Sequence, residues 1–351
     1  MSVNLADGRF LVTGGAGFIG CNFVHELLRR HPAARVTVLD KLTYAGNPAN
    51  LDPVRSCPGF RFVQGDIADA TAVDPLVSEG FDYILNFAAE THVDRSIGDP
   101  ASFVRTDVFG VYTLLEAVRR HPVRLFVQIS TDEVYGEILG EPVTEEGPLM
   151  PRNPYSASKA GGDRLAYSYW ATYNLPVVVT RCSNNYGPYQ YPEKLIPLFV
   201  TNALEDQPLP VYGTGKNTRD WIHVSDHVSA LLRILETPGV EGELFNIGGG
   251  NELDVLTIAG HLLRLTGKPE SLLAPVVDRP GHDRRYALNC SKLGSRTGWS
   301  PQVPLSDGLR TTVDWYRSHP EWWRPLKSGE FLDYYRRNYR FLSGPASGES
   351  G

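Results

Sequence analysis

The 351-residue sequence predicts an α/β fold: a doubly wound parallel sheet followed by a smaller C-terminal domain. Three observations carry that expectation. Short apolar runs alternate with helix-period segments through the first half of the chain. A glycine run follows directly on the first apolar run. After Tyr191 the segments shorten, and basic and aromatic residues gather in loops.

The strands come in order. RFLVTG (Arg9 to Gly14), RVTVLD (Arg35 to Asp40), RFVQGD (Arg61 to Asp66), DYILNFA (Asp82 to Ala88) and RLFVQIST (Arg124 to Thr131) are short apolar runs. Strands covered on both faces read as continuous apolar stretches in this way. LPVVVTRCSNNYG (Leu175 to Gly187) reads as a sixth strand with its exit loop. Between them, in ASFVRTDVFGVYTLLEAVRR, the residues Phe103, Val104, Val108, Val111, Leu114, Leu115 and Val118 make one broad helical stripe. The expected division is a first domain over residues 1–190 and a second over 191–342, with one return of the chain to the first. The tail 343–351, SGPASGESG, has the composition of a disordered segment.

Bulk composition narrows the classes. Hydrophobic residues make up 42% and charged residues 21%, enough for a large core. A net charge of -6 argues against a general nucleic-acid or membrane-surface binder, yet leaves room for a local basic pocket. No apolar run approaches the ~18–20 residues of a membrane span, and MSVNLADGRFLV lacks the pattern of a signal peptide. Cys21, Cys57, Cys182 and Cys290 are widely spaced, so free thiols in a cytoplasmic, reducing compartment are expected.

FLVTGGAGFIG sets Gly14, Gly17 and Gly20 in a G-x-x-G-x-x-G run between a strand and the helical CNFVHELLRR. Small residues let the turn close and let backbone N–H groups face a pyrophosphate at a helix N-terminus. Asp40 ends the second strand, where an acid accepts from both ribose hydroxyls and repels a 2′-phosphate. The pattern is that of a Rossmann-type site for NAD rather than NADP, with Lys41 weakening the discrimination. Asp66, closing the third strand, is placed to meet the adenine edge.

VQISTDEVYG carries Ser130, Thr131, Asp132 and Glu133 in one row after a strand. Neighbours on an extended chain face opposite ways, so both acids serve one pocket only if the strand has ended by Asp132. Downstream, YSASK puts Tyr155 and Lys159 four apart, one turn of a helix. An ammonium near a phenol favours the phenolate, which suits Tyr155 as a base.

The glycine run, Thr131 and Tyr-x-x-x-Lys resemble the extended short-chain dehydrogenase/reductases. DKLTYAGNPANL, FAAETHVDRS, STDEVYGE, PYSASKAGGD, RCSNNYGPYQYPEKLIPLF, GKNTRDWIHVSDH and DRPGHDRRYALN resemble the dTDP-glucose 4,6-dehydratases, from about Arg9 to Trp323. The resemblance implies an NAD-dependent lyase acting on a nucleotide sugar: oxidation at C4, loss of water across C5 and C6, and return of hydride to C6. It implies Tyr155 as the base at the C4 hydroxyl, Thr131 as its hydrogen-bonding partner, Glu133 as the base at C5 and Asp132 as the acid at C6. It further implies cofactor contacts from Phe18, Ile19, Thr43, Ile67, Phe87, Ala88, Ala89, Thr106 and Asn184, beside those already named. The sugar nucleotide would meet Glu90, Thr91, Asn184, Lys194, Leu195, Arg219, Asn246, Arg279 and His282, with Tyr212 stacking on the base. A homodimer is implied, through a four-helix contact of the Ala101–Arg120 and Tyr155–Tyr173 segments. Asp107 departs from the family pattern, where asparagine is expected.

Rival readings remain open at this level: the same dehydration on UDP-glucose or another nucleotide sugar, a 4-epimerase, or a silent NAD-binding regulator. The acid pair argues against the epimerase, and the intact Tyr155 and Lys159 against the regulator. His223 and His227 in HVSDH have zinc-compatible spacing, but no third ligand motif accompanies them, and no metal is expected.

Overall fold

The computed structural model describes residues 5–278, 281–329, 331–332 and 335. Arg279 and the 343–351 tail lie outside the described residues. The first six strands are β1 (Arg9–Thr13), β2 (Arg35–Asp40), β3 (Phe60–Gln64), β4 (Tyr83–Asn86), β5 (Leu125–Thr131) and β6 (Val177–Cys182). They coincide with the apolar runs. Six further strands follow: β7 (Asn184–Tyr186), β8 (Leu209–Tyr212), β9 (Thr218–His223), β10 (Leu244–Ile247), β11 (Glu252–Asp254) and β12 (Leu273–Val276).

The large sheet is parallel and seven-stranded, in the order β10-β6-β5-β4-β1-β2-β3. The chain runs outward from β1 to β3, then restarts on the other side with β4. The carboxyl ends of β1 and β4 therefore flank a switch point, where such sheets bind ligands. Every residue of β5 is buried, and Phe10, Leu11, Val12, Leu85, Phe126 and Val127 are sealed from solvent. Each such side chain contributes about 1.5–3 kcal/mol of burial free energy. β10 returns the chain to the edge of this sheet beside β6.

The other strands form a three-stranded sheet (β11-β9-β7) and a parallel pair (β12-β8). The helices Leu195–Leu204, Val255–Thr266 and Leu305–Ser318 share a second core around Phe199, Trp221, Tyr316 and Trp323. Among the described residues no helix is long and apolar enough to cross a membrane, and all four cysteines are free thiols.

One segment differs from the expected continuous stripe. Between the helices Pro100–Phe103 and Val111–Arg120, residues Val104–Gly110 wind as a π-helix. The wider turn re-phases the stripe: Phe103, Val111, Leu114, Leu115 and Val118 are buried, whereas Val104 is 55% exposed. It also turns Asp107 inward, to 2% exposure. π-turns inserted in helices often mark functional sites. Here the turn presses on the helix Pro154–Tyr173, where a Cβ on Gly162 would lie 2.3 Å from the Asp107 carbonyl oxygen.

Candidate active site

The cofactor crevice is built from the glycines upward. Gly14 has φ +68, and a Cβ there would lie 2.5 Å from the Ala88 nitrogen; one on Gly20 would lie 2.4 Å from the Gly14 carbonyl oxygen. Only glycine lets β1, β4 and the start of the helix Phe18–Arg30 close this tightly. That helix opens on the crevice with its N–H groups. The buried Asp40 accepts from the Ala16 N–H (2.9 Å) and the Leu42 N–H (2.8 Å), so it shapes the loop as well as lining the crevice. Lys41 is paired with Asp66 at 2.9 Å. Its charge is thereby partly neutralised, which offsets the weakening of NAD preference that Lys41 implies.

One cavity is lined by Gly14, Gly17, Phe18, Ile19, Gly20, Asp40, Lys41, Thr43, Asp66, Ile67, Phe87, Ala88, Ala89, Thr106, Tyr155, Lys159 and Asn184, together with Glu90 and Thr91. The glycine cradle and the carboxylates at the strand ends fit a dinucleotide.

β5 ends at Thr131, and a short 3₁₀ turn, Asp132–Tyr135, begins at once. The bend frees the two acids from the alternation of a strand. Thr131 Oγ1 accepts from the Glu133 N–H (3.3 Å) and donates to Asp132 Oδ1 (3.1 Å). Burial, then the nearby Glu133 charge, pushes the Asp132 carboxyl up to about 8, so it carries its proton at neutral pH. Asp132 Oδ2 and Glu133 Oε2 have no hydrogen-bond partner among the described residues.

Asn153 caps the helix Pro154–Tyr173: its Oδ1 accepts from the Ser156 N–H at 2.9 Å. The cap fixes Tyr155 in the first turn and Lys159 in the next. Lys159 donates to the Ile129 carbonyl at 2.8 Å. Burial raises the Tyr155 hydroxyl well above its usual range, helped by the charges of Glu133 and Asp107. Burial lowers the Lys159 ammonium.

A second cavity meets the first at Glu133, Tyr155, Asn184, Glu193 and Lys194. It is lined also by Leu195, Tyr212, Arg219 and His282. Arg219 is held by the carbonyls of Thr218 (2.8 Å) and Asp283 (2.9 Å) and lies 4.3 Å from the Tyr286 ring centroid. Lys194 donates to Thr91 Oγ1 (3.1 Å), and Tyr212 donates to Asp94 Oδ2 (3.2 Å).

Asn246, expected at the sugar nucleotide, is placed away from both cavities. It is fully buried, its amide donates to the carbonyls of Val143 and Asn289, and its oxygen accepts from Tyr135. It lines neither cavity, because on the edge strand β10 its side chain braces the loops that carry Val143 and Asn289. Arg285 pairs with Glu252 at 2.7 Å rather than facing a cavity. His223 and His227 bond Ser225 (2.7 Å) and Asn185 (3.0 Å), and no group of described residues is placed to hold a metal ion.

Sequence reasoning did not single out Cys182, Glu193, Asp94 or Asn217, which line the cavities. The strand register pairs Cys182 with Thr131, a neighbour relation no local motif announces. Glu193 and Asp94 stood inside quoted motifs, and their charge was the available signal.

Comparison with known proteins agrees with this geometry. The family model described as GDP-mannose 4,6 dehydratase matches residues 11–312. A dTDP-glucose 4,6-dehydratase of Streptomyces niveus is 54% identical over 324 residues, covering 91% of this chain and 96% of the relative. Two solved structures cover 91% of this chain and 100% of theirs. The dTDP-glucose 4,6-dehydratase DesIV of Streptomyces venezuelae, with NAD bound, is 51% identical with a TM-score of 0.88. The dTDP-glucose 4,6-dehydratase of Bacillus anthracis, in complex with NAD, is 48% identical with a TM-score of 0.85. With its acid pair set in a turn where two cavities meet, and with this similarity along most of its length, the chain belongs to the dTDP-glucose 4,6-dehydratase family.

Proposed function

We propose that this protein is an NAD-dependent hydro-lyase that converts dTDP-glucose to dTDP-4-keto-6-deoxyglucose. The observation that carries the reading is the Asp132–Glu133 turn at the junction of a dinucleotide crevice and a second, cation-bearing cavity. NAD, when bound, supplies the acceptor for the C4 hydrogen and gives it back at C6. Tyr155 would take the C4 hydroxyl proton once the positive charges of Lys159 and of bound NAD offset the burial that raises its hydroxyl, while Thr131 orients that oxygen. The resulting ketone acidifies the C5 proton, which Glu133 removes. Asp132, neutral at pH 7, protonates the departing C6 hydroxyl, so water leaves. Lys159 holds positive charge near the phenol. Arg219, Lys194 and His282 would engage the nucleoside diphosphate, with Tyr212 against the base.

The division of labour follows the two cavities: residues 1–190 would hold NAD and the catalytic groups, and 191–342 mainly the sugar nucleotide. A homodimer is also proposed. Val104, Phe109 and Tyr112 on one helical segment and Tyr173 on the next are exposed apolar groups, which supports a paired-helix contact. The expected compartment is the cytoplasm, in line with the free thiols.

Purified protein incubated with dTDP-glucose, without added reductant, should yield a product lighter by one water in the mass spectrum. Turnover of UDP-glucose in preference to dTDP-glucose would move the substrate assignment. No loss of water from any nucleotide hexose would refute the lyase.

A further inference from the structure

The catalytic helix is backed by a carboxyl that the reaction itself does not use. Asp107 Oδ1 accepts from the Glu90 N–H at 2.9 Å, and its Oδ2 accepts from the Ser158 hydroxyl at 2.6 Å. Glu90 lines the cofactor cavity, and Ser158 directly precedes Lys159. One buried side chain thus joins a wall of the crevice to the helix that carries Tyr155 and Lys159. The Ser158 hydroxyl also lies 2.8 Å from the Tyr155 carbonyl oxygen. It has one proton to donate. When Asp107 is ionised, that proton goes to the carboxylate. When Asp107 is neutral, the carboxyl can donate to Ser158, and the Ser158 proton turns to the Tyr155 carbonyl. An asparagine would make the same bonds without ever carrying charge.

Several ionisable groups face Asp107. Lys159 and Tyr155 do so from the helix Pro154–Tyr173, and Glu90 from the loop after β4. Glu133 and Asp132 from the turn after β5, and Cys182 from β6, act on the same Tyr155. A carboxylate at Asp107 supports the Lys159 ammonium and opposes a Tyr155 phenolate.

We propose that Asp107 is a positioning residue that clamps Ser158 to the Glu90 loop and, as a carboxylate, opposes a Tyr155 phenolate, so that Tyr155 gives up its proton at a higher pH than it would beside a neutral amide. The inference rests on the dehydratase reading. Burial, opposed by the Lys159 charge, raises the Asp107 carboxyl to about 6, so it ionises within the working range.

The test is the pH dependence of dTDP-glucose turnover by the wild type and Asp107→Asn. The variant should keep its KM while the rising acidic limb of kcat moves down by about half a pH unit or more. A limb that stays in place, or moves up, overturns the proposal; a purely structural role would change kcat without moving the limb. If Asp107→Asn does not fold, Ser158→Ala decides. It keeps the carboxyl but removes the donor that stabilises its charge, so the limb should move the same way by less. Thermal melting adds a readout independent of turnover. The carboxyl is neutral in the fold at a pH where the unfolded chain is already charged, so wild type should lose stability relative to Asp107→Asn as pH rises from about 4 to about 6. An unchanged difference would overturn the ionisation. A wild type inactive at every pH would instead refute the dehydratase reading.

Discussion

Lys159 donates to the backbone carbonyl of Ile129 across 2.8 Å, tying the helix that carries Tyr155 to the strand that ends at Thr131. The bond fixes the ammonium one helical turn beyond Tyr155 and gives a buried carbonyl a donor. Lys159→Met should lower turnover by about 10²-fold or more and should also cost stability, since the Ile129 carbonyl loses the shorter of its two side-chain donors and keeps only the Gln128 amide at 3.4 Å. Tyr155→Phe should lose about 10²–10⁴-fold in turnover with little change in stability or in NAD content. Steady-state rates and melting curves on both variants separate the two effects.

Burial, then the nearby Glu133 charge, keeps Asp132 protonated to about pH 8, which supports its proposed role as the acid of the pair. Asp132→Asn should block loss of the C6 hydroxyl while C4 oxidation continues, so reduced cofactor accumulates on the protein. Its absorbance on mixing with substrate measures this directly. The wild-type rate should fall above about pH 8, where the carboxyl ionises. The sign for stability follows from the same shift. The folded state binds this proton where the unfolded chain has released it, so raising pH from about 4 to about 8 destabilises wild type relative to Asp132→Asn, by on the order of a few kcal/mol.

Much of this site was legible in the sequence, and the reasons differ by element. The first six strands stood out because strands covered on both faces are continuously apolar, and Gly14, Gly17, Gly20 and Asp40 carried their purpose in their spacing. The end of β5 at Thr131 was only a condition that the chemistry imposed; the 3₁₀ turn at Asp132 meets it. The π-turn at Val104–Gly110 was not legible, because a helix-period stripe does not record one extra residue per turn. Nor was the burial of Asn246, which follows from β10 crossing back to the first sheet.

Arg219 is held rigidly by two carbonyls and the Tyr286 ring, and its charge lowers the proton affinity of Asp132. Arg219→Ala should raise KM for dTDP-glucose by roughly 10–100-fold, the loss of one charge-assisted contact. It should also move the alkaline limb of the pH profile upward, because Asp132 then holds its proton longer. An unchanged KM would remove Arg219 from the binding site.

The exposed Phe109 and Tyr112 predict a dimer. Sedimentation at micromolar concentration should give twice the 38.9 kDa chain mass, and Phe109→Glu with Tyr112→Glu should return it to the mass of one chain. A wild type sedimenting as a single chain would contradict the contact.

The account centres on one hydrogen leaving C4 and returning at C6 within a single active site. The direct measurement uses dTDP-glucose carrying deuterium at C4, in ordinary water, with the product read by mass spectrometry and NMR. The account predicts a 4-keto-6-deoxy product that has lost water and carries that deuterium at C6, with no net reduced NAD left behind. A dehydrated product without deuterium at C6, or stoichiometric accumulation of reduced NAD, would contradict it.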